Sequence, residues 1–348
     1  MPQHNVLITG ASGYLGGTVI AQLNHANLPP HGNIFALVRT DSQAEAVKKY
    51  GLDAITFDPY DEASVEHHIL SHQISVVYWL IDALGSAAQP HFIKALSKLK
   101  QKTGQTVHFL HTSGAKIFSD LAGAYTDKPL LDNDPNLYTV QKDQRASHAL
   151  LQKAVDANNT VIEFSEALGV RSYIFVPCIV YGKGRGFGNP VSIQTVAIVK
   201  AAKEAKKVYR VDTDRPTWPV SHVDDTASLY IEILRKILAE EDIDYGSKGY
   251  YLAASGSVAW DDLYEAMAKP LANRGIIDDS EIGFADDTAL TKMAKGLGSP
   301  KDLVRVQLGG KCTFTAKHGE SLGWKPKYPA GHILQVADEE VALILEHM

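Results

Sequence analysis

The sequence is poor in cysteine, in positive charge and in long apolar runs, and each shortage excludes a class of protein. Its 348 residues include only Cys178 and Cys312, which lack metal-ligand spacing, so a reducing compartment is expected. The net charge of −6 provides no basic surface for nucleic acid. No run of about eighteen apolar residues occurs, so no membrane-spanning helix is expected. Because no basic stretch precedes the first apolar segment, we expect no secretory signal and a cytoplasmic location.

Short apolar segments alternate with longer amphipathic ones through the first half of the chain. The pattern predicts strands over 5–9, 33–38, 53–57, 75–80, 106–111 and 172–176. It predicts helices over 14–24, from 41, over 61–71 and 90–102, and a mostly helical stretch over 138–170 with a break at Asn158-Asn159. Strands separated by helices require crossover connections, which indicates an α/β fold with a Rossmann-type doubly wound parallel sheet.

In the second half of the chain, strands and helices alternate less regularly. Helices are predicted over 193–207, 225–240 and 260–273. We interpret residues 1–182 as a Rossmann-type domain and residues 183–348 as a mostly substrate-binding cap. Strands or a helix at about 211–240 are expected to return to the first domain. The cap is therefore a smaller, interwoven C-terminal region.

A glycine-rich turn follows the first predicted strand and opens the first helix. Gly10 permits the tight turn, Gly13 lets the backbone approach a pyrophosphate, and Gly16 allows close packing of helix and sheet. The helix N-terminus offers unpaired N–H groups to the phosphates. The predicted cofactor contacts in this turn are Gly10, Ser12, Gly13, Tyr14, Leu15 and Gly16.

The end of the second strand indicates which dinucleotide binds. Arg39 stands where an NADP site places an arginine near the 2′-phosphate, whereas an NAD site usually places an acid there. Its planar guanidinium can donate two hydrogen bonds to one phosphate. Asp41 keeps NAD open as an alternative. Asp58, after the third strand, is predicted to meet the adenine edge.

Three polar residues form a candidate catalytic group. Ser113 ends the fifth strand, and Tyr138 and Lys142 follow at a spacing that shares one helix face. An adjacent ammonium and an oxidised nicotinamide both favour a phenolate, which brings tyrosine toward the working pH range. Tyr138 would then act as the acid/base, Ser113 would hold the carbonyl oxygen, and Lys142 would also bind the ribose.

These residues together resemble the extended short-chain dehydrogenase/reductase superfamily, to which the epimerases and dehydratases of nucleotide sugars belong. The segment 177–182 looks like that family's nicotinamide segment, which implies cofactor contacts for Pro177 and Val180. Residues 222–225 and 322–326 resemble two later family motifs.

The resemblance is closest to dihydroflavonol-reductase-type carbonyl reductases. The dehydratases carry Thr-Asp-Glu where this chain has Thr112-Ser113-Gly114, and the epimerases usually carry an asparagine where it has Ile179. The resemblance therefore implies NADP(H)-dependent reduction of a ketone or aldehyde on a small organic molecule. Two alternatives stay open: an epimerase or isomerase with bound NAD(P), and a non-catalytic NADP-sensing regulator. Members of this family often dimerise, so a homodimer is also an expectation.

One spacing departs from the family pattern. The catalytic tyrosine usually precedes the proline of the nicotinamide segment by fewer than about thirty residues, but Tyr138 lies 39 residues (177 − 138) before Pro177. Either an insertion lies around 154–160, or Tyr138 is not the family's tyrosine. Counting back from Pro177 reaches Ala149 and Leu150, whose side chains cannot transfer protons.

Two further features have ordinary explanations beside functional ones. His67, His68 and His72 could bind a metal, but a solvated helix face is favoured and no metal is predicted. The glycines at 182, 184, 186 and 188, with Lys183 and Arg185 between them, indicate either a flexible surface loop or a loop that closes over a phosphate.

Overall fold

A seven-stranded parallel sheet organises the molecule, as seen in a computed structural model that describes residues 3–348. In chain order its strands are β1 Asn5–Ile8, β2 Ile34–Leu37, β3 Asp53–Ile55, β4 Ile74–Trp79, β5 His108–Thr112, β6 Arg171–Pro177 and β7 Tyr250–Ala253. Their order in space is β3-β2-β1-β4-β5-β6-β7. The order reverses between β1 and β4, and ligands of such sheets bind beyond the carboxyl ends of the strands at that point.

Helices cover both faces of this sheet. All residues of β4 and β5 are buried, as expected for central strands covered on both sides. Successive side chains enter different cores: Phe109 packs in one apolar cluster and Leu110 in the other. The helices of eight residues or more are Tyr14–Leu23, Asp41–Lys48, Glu62–Ser71, Gln89–Thr103, Ala149–Leu168, Gln194–Ala205, Val223–Leu238, Trp260–Asn273, Asp287–Leu297 and Ala337–Glu346.

Shorter elements complete the cap and the connections. The shorter α-helices are Leu137–Asp143, Leu303–Leu308, His318–Ser321 and His332–Gln335, and the 3-10 turns are Ala115–Phe118, Asp120–Ala122 and Gly246–Lys248. Two-stranded pairs join Tyr209–Arg210 to Gly283–Phe284 and Leu130–Leu131 to Phe314–Thr315.

A three-stranded sheet joins the cap to the main sheet. Strand Thr217–His222 lies between Ile179–Tyr181, to which it is parallel, and Gly256–Ala259, to which it is antiparallel. Val220 is paired with Ile179, and Trp218 is paired with Val258 on the other side. The cap thus meets the main sheet at the carboxyl end of β6.

The predicted fold class is confirmed, and the first six strands lie within about two residues of their predicted positions. The break in the long helical stretch lies at 144–148 rather than at Asn158-Asn159. Asn158 is tolerated inside the helix because its buried amide donates to the Gln141 side chain. Helix Val223–Leu238 returns to pack on Tyr14–Leu23, and β7 returns beyond the stretch in which the sequence predicts a return. Among residues 3–348, no helix is both long and apolar enough to span a bilayer.

Candidate functional site

The glycine turn brings β1, β4 and the first helix unusually close together. Gly10 has a φ of 68°, a left-handed conformation that favours glycine. A Cβ atom on Gly10 would lie 2.7 Å from the Leu80 carbonyl oxygen, and one on Gly16 would lie 2.3 Å from the Gly10 carbonyl oxygen. Side chains at these two positions would therefore force the strands and the helix apart.

The start of the first helix is free to receive an anion. Gly13 is the N-cap residue and supplies no side-chain cap, so the first-turn N–H groups point outward without a side-chain acceptor. A dinucleotide pyrophosphate fits this arrangement, because the helix N-terminus donates hydrogen bonds and favours negative charge. The backbone of Gly13, Tyr14 and Leu15 would hold it. The Ser12 carbonyl oxygen instead accepts a hydrogen bond from the Asn189 N–H at 3.1 Å.

Arg39 and Asp58 follow β2 and β3, on the side of the switch point that the adenosine half of a dinucleotide would occupy. Arg39 is exposed, and its backbone N–H donates to Gln43 Oε1 at 2.9 Å. Within the described chain its guanidinium has no hydrogen bond or ion pair, so it is available to a phosphate. Asp58 is also exposed and accepts a hydrogen bond from the Tyr60 N–H at 2.9 Å.

The glycine-rich loop 182–188 packs directly on the cofactor turn. A Cβ atom on Gly186 would lie 2.4 Å from Gly17 Cα, and one on Gly188 would lie 2.0 Å from the Ser12 carbonyl oxygen. Only glycine permits this approach of two backbones. The loop is therefore part of the wall of the candidate cofactor site, and it is not a free surface loop.

Hydrogen bonds from two distant helices hold the start of this loop. Tyr14 Oη donates to the Gly182 carbonyl oxygen at 2.6 Å, and the Gly182 N–H donates to Glu340 Oε2 at 2.9 Å. Glu340 is buried, and this burial raises the pKa of its carboxyl. Arg185 forms an ion pair with Asp224 at 2.5 Å.

Ser113 lies at the carboxyl end of β5, level with the end of β6. Its N–H donates to the Phe175 carbonyl oxygen at 2.8 Å. The side chain is only 4% exposed, and its Oγ has no hydrogen-bond partner among residues 3–348. Since buried hydroxyls in folded proteins are normally paired, the Ser113 hydroxyl is available to a ligand at this edge.

The Pro177–Val180 segment lies between this edge and the glycine turn. Val180 packs with Tyr14 and Val223 in a small apolar cluster. The Cys178 thiol donates to the Ala253 carbonyl oxygen at 3.1 Å, and burial raises the pKa of the thiol well above its ordinary value. The thiol is therefore a protonated packing group, and the segment offers an apolar surface.

Tyr138 and Lys142 do lie side by side on helix Leu137–Asp143, but a carboxylate binds both. Tyr138 Oη donates to Glu163 Oε1 at 2.8 Å, and Lys142 Nζ contacts the same oxygen at 2.7 Å. Burial and the Glu163 carboxylate raise the pKa of Tyr138, although Lys142 partly opposes this. This is the reverse of the shift that an acid/base tyrosine requires.

The structure does not bring this pair to Ser113. Glu163 lies ten residues beyond Lys153 in helix Ala149–Leu168, which is about 15 Å along the axis toward the amino-terminal edge of the sheet. Helix Leu137–Asp143 also packs against Gly246–Lys248, the turn that precedes β7. Tyr138 and Lys142 therefore lie away from the carboxyl edge where Ser113 and Pro177 meet, and their predicted catalytic roles stay predictions.

Two lysines at the carboxyl edge are absent from the sequence-based assignment. Lys153 lies on the second turn of helix Ala149–Leu168, and its Nζ is 3.6 Å from where a Cβ on Gly85 would be, just after β4. Backward counting from Pro177 could have found it, because Ala149 and Lys153 stand four residues apart. Lys116, three residues after Ser113, lies with its Nζ 4.2 Å from the Trp218 ring centroid. No sequence signal distinguishes Lys116.

Other aromatic and polar side chains in the second half of the chain have structural roles. Trp218 and Tyr181 are buried in the main core, which favours core packing over pocket lining. His222 caps helix Val223–Leu238 by accepting from the Asp224 N–H at 3.1 Å, and Asp225 accepts two backbone N–H groups from Lys327 and Tyr328. Over residues 3–348, no group of three or more His, Cys, Asp or Glu side chains is arranged to hold a metal.

Comparison with solved structures agrees with this architecture. UDP-glucose 4-epimerase of Thermotoga maritima, solved with UDP-glucose, shares 14% identity over 99% of both chains with a TM-score of 0.64. dTDP-glucose 4,6-dehydratase of Bacillus anthracis, solved with NAD, shares 12% identity over 99% of this chain and 97% of its own, with a TM-score of 0.63. A monomeric L-threonine 3-dehydrogenase from a metagenome shares 15% identity over 98% and 99%, with a TM-score of 0.58. At these identities the likeness establishes the fold.

Family membership comes from the sequence itself. A search of curated proteins finds no match. The model of the NAD dependent epimerase/dehydratase family matches residues 6–246, a range that includes the glycine turn, the Ser113 edge and the Pro177 segment. The predicted resemblance is confirmed: the chain belongs to the NAD dependent epimerase/dehydratase family.

Proposed function

We propose that the protein is an NADP(H)-dependent reductase of a ketone or aldehyde on a small organic molecule, acting in the cytoplasm. One observation carries the proposal: the buried hydroxyl of Ser113, unpartnered among residues 3–348, lies at the carboxyl edge of the sheet, where the Ser113 N–H donates to the Phe175 carbonyl oxygen. A carbonyl oxygen placed there would find a hydrogen-bond donor. The free guanidinium of Arg39 supports NADP(H) over NAD(H).

Apolar residues around the carboxyl edge support a small apolar substrate. Ile179 is 1% exposed and offers no hydrogen bond to a diphosphate. Ile81 and Leu84 are each 43% exposed in the segment that follows Leu80, whose carbonyl lies against the Gly10 turn. Bound NADPH would supply a hydride to the carbonyl carbon, while Ser113 would bind and orient the carbonyl oxygen.

A second candidate is binding of NADP(H) without turnover, as in a sensor. The observation that favours it is the engagement of Tyr138 and Lys142 by Glu163. With Ala149 at the position reached by counting back from Pro177, no tyrosine stands at the start of the long helix. The glycine turn and Arg39 would serve a sensor equally well.

Binding and turnover can be separated in one experiment. Purified protein is titrated with NADPH and, as a matched control, with NADH, and binding is followed by fluorescence. The protein is then incubated with NADPH and a panel of ketones and aldehydes, and loss of NADPH absorbance is followed. The reductase predicts tighter binding of NADPH and its substrate-dependent oxidation. Binding without oxidation favours the sensor, and cofactor that copurifies and is not consumed favours an epimerase or isomerase.

A further inference from the structure

We infer that Lys116 is the proton donor of the proposed reduction, acting on the carbonyl oxygen that Ser113 holds. The inference rests on the proposed function and assigns the acid that Tyr138, bound to Glu163, does not provide at this edge. It depends on the position of Lys116, on the groups around its amine and on the state of that amine.

The position of Lys116 follows from the strand register. Ser113 directly follows β5, whose last residue, Thr112, is paired with Phe175 of β6. Trp218 lies two residues before Val220, which is paired with Ile179 of the segment after β6. The 3-10 turn Ala115–Phe118 begins two residues after Ser113. From this turn Lys116 extends to Trp218, with its Nζ 4.2 Å from the ring centroid. Its side chain therefore crosses the junction of main sheet and cap beside the nicotinamide segment.

The amine of Lys116 lies in largely apolar surroundings. Its Nζ is also 5.2 Å from the Trp260 ring centroid, and it donates to the Gln307 carbonyl oxygen at 3.3 Å. No carboxylate of the described residues forms an ion pair with it. Aromatic faces attract an ammonium but cannot accept its proton, so the proton stays available to a substrate oxygen.

The titratable groups that face this amine have other partners or are uncharged. Asp120 and Asp212 both bind Arg305, at 3.2 Å and 2.7 Å. The Cys312 thiol is buried, and its pKa rises to about 12, so it is uncharged at neutral pH. Burial lowers the pKa of Lys116 to about 7, against small opposing effects from Cys312, Asp212 and Asp120. An acid with a pKa near the operating pH is suited to proton transfer.

The proposed step balances in atoms and charge. As the carbonyl carbon gains the hydride, its oxygen gains an electron pair and forms an O–H bond with a proton from Lys116. The N–H bond of the ammonium breaks, leaving a neutral amine, and NADPH becomes NADP⁺. Ser113 donates a hydrogen bond to the same oxygen throughout. After the alcohol leaves, solvent returns a proton to Lys116.

The first test compares variants of the full chain. Lys116→Met keeps the length and packing of the side chain without an acidic proton, Lys116→Arg keeps the charge with a pKa above the working range, and exposed Lys203→Met is the control. We expect a loss of at least about 100-fold in kcat/KM for both Lys116 variants, with NADPH affinity and melting temperature close to those of the wild type. Lys203→Met should match the wild type. A Lys116 variant that keeps activity within tenfold overturns the inference and leaves the proposed function intact.

The second test needs neither cofactor nor turnover. The ¹³Cε resonances of labelled lysines are followed against pH by NMR, and the Lys116 signal is identified by its disappearance in Lys116→Arg. A midpoint near pH 7, matched by a fall in wild-type kcat/KM above that pH, supports the inference even if Lys116→Met fails to fold. An ordinary midpoint near pH 10 overturns it. If the wild type binds NADPH but none of the ketones and aldehydes causes its oxidation, the proposed function fails, and the catalytic role of Lys116 fails with it.

Discussion

Tyr138 donates its phenolic hydrogen bond to Glu163 at 2.8 Å, and Lys142 contacts the same carboxylate oxygen at 2.7 Å. The pair that the sequence spacing brings together is therefore linked to the long helix Ala149–Leu168. A phenol that donates to a carboxylate is stabilised in its protonated form. The contact favours a structural role in fastening helix Leu137–Asp143.

This contact leads to a prediction for Tyr138→Phe. We expect a loss of about 1 kcal/mol in the free energy of unfolding, because one partly exposed hydrogen bond disappears. Reductase kcat/KM should stay within about threefold of the wild type. Chemical unfolding and steady-state kinetics measure the two effects, with Glu163→Gln as the partner variant. A loss of 100-fold or more in folded Tyr138→Phe would instead identify Tyr138 as the acid/base.

Arg39→Ala should change the choice of cofactor. The exposed guanidinium has no protein partner, so its removal should not destabilise the fold. Hydrogen bonds to charged groups contribute about 1.5–3 kcal/mol, which corresponds to about a 10- to 160-fold weaker Kd for NADPH. NADH lacks the 2′-phosphate, so its Kd is the internal control. Equal weakening for both cofactors would show that Arg39 does not contact that phosphate.

Gly188→Ala should weaken NADPH binding by displacing the loop that packs on the cofactor turn. The new Cβ would lie 2.0 Å from the Ser12 carbonyl oxygen, so the loop must move away from the turn. We expect NADPH binding at least about tenfold weaker, and a lower melting temperature. Gly331→Ala is the matched control, because nothing lies within 4 Å of its Cβ position. Unchanged binding in Gly188→Ala would mean that the loop does not shape the cofactor site.

His111 should make the protein sensitive to acid. It is fully buried, its ring nitrogens have no hydrogen-bond partner in the described part of the chain, and burial lowers its pKa to about 4. Below the ordinary pKa of 6.5, His111 is protonated in the unfolded chain, whereas in the folded chain it stays neutral down to about pH 4. The free energy of unfolding should therefore fall between pH 6.5 and 4, by up to about 3 kcal/mol.

Urea unfolding at several pH values measures this dependence. His111→Leu should flatten the profile between pH 6.5 and 4, whereas the exposed His25→Leu should leave it as in the wild type. An identical profile for His111→Leu and the wild type would show that other groups cause the loss of stability.

The parts of the fold that local patterns control could be predicted from the sequence. Buried parallel strands can be recognised as short apolar runs. The turn Gly10–Gly16 can be recognised because its glycines are required by the backbone and stand between a strand and a helix. β7 was not predicted, because Tyr250–Ala253 is a run of four residues whose pairing with β6 depends on a distant contact. Helix Leu137–Asp143 could be predicted as helical, but its place beside Gly246–Lys248 could not.

The candidate site divides in the same way. Gly10, Gly13, Gly16 and Arg39 are defined by their neighbours in sequence, and the structure places them at one edge. The environment of Lys116 arises from Trp218, Trp260 and Gln307, each about a hundred or more residues away. No residue spacing in the sequence indicates these contacts, so only the folded structure shows that the Lys116 amine is buried.

The hydrogen bonds around Gly182 connect the two ends of the polypeptide. Tyr14, in the first helix, binds its carbonyl, and Glu340, in the last helix, binds its N–H. Residues that are 326 positions (340 − 14) apart in sequence thus bind the backbone of the same residue, Gly182, in the loop that packs on the cofactor turn. Truncation or tagging of the C-terminus should consequently be treated as a perturbation of nucleotide affinity, and the two halves of the molecule should melt in a single transition.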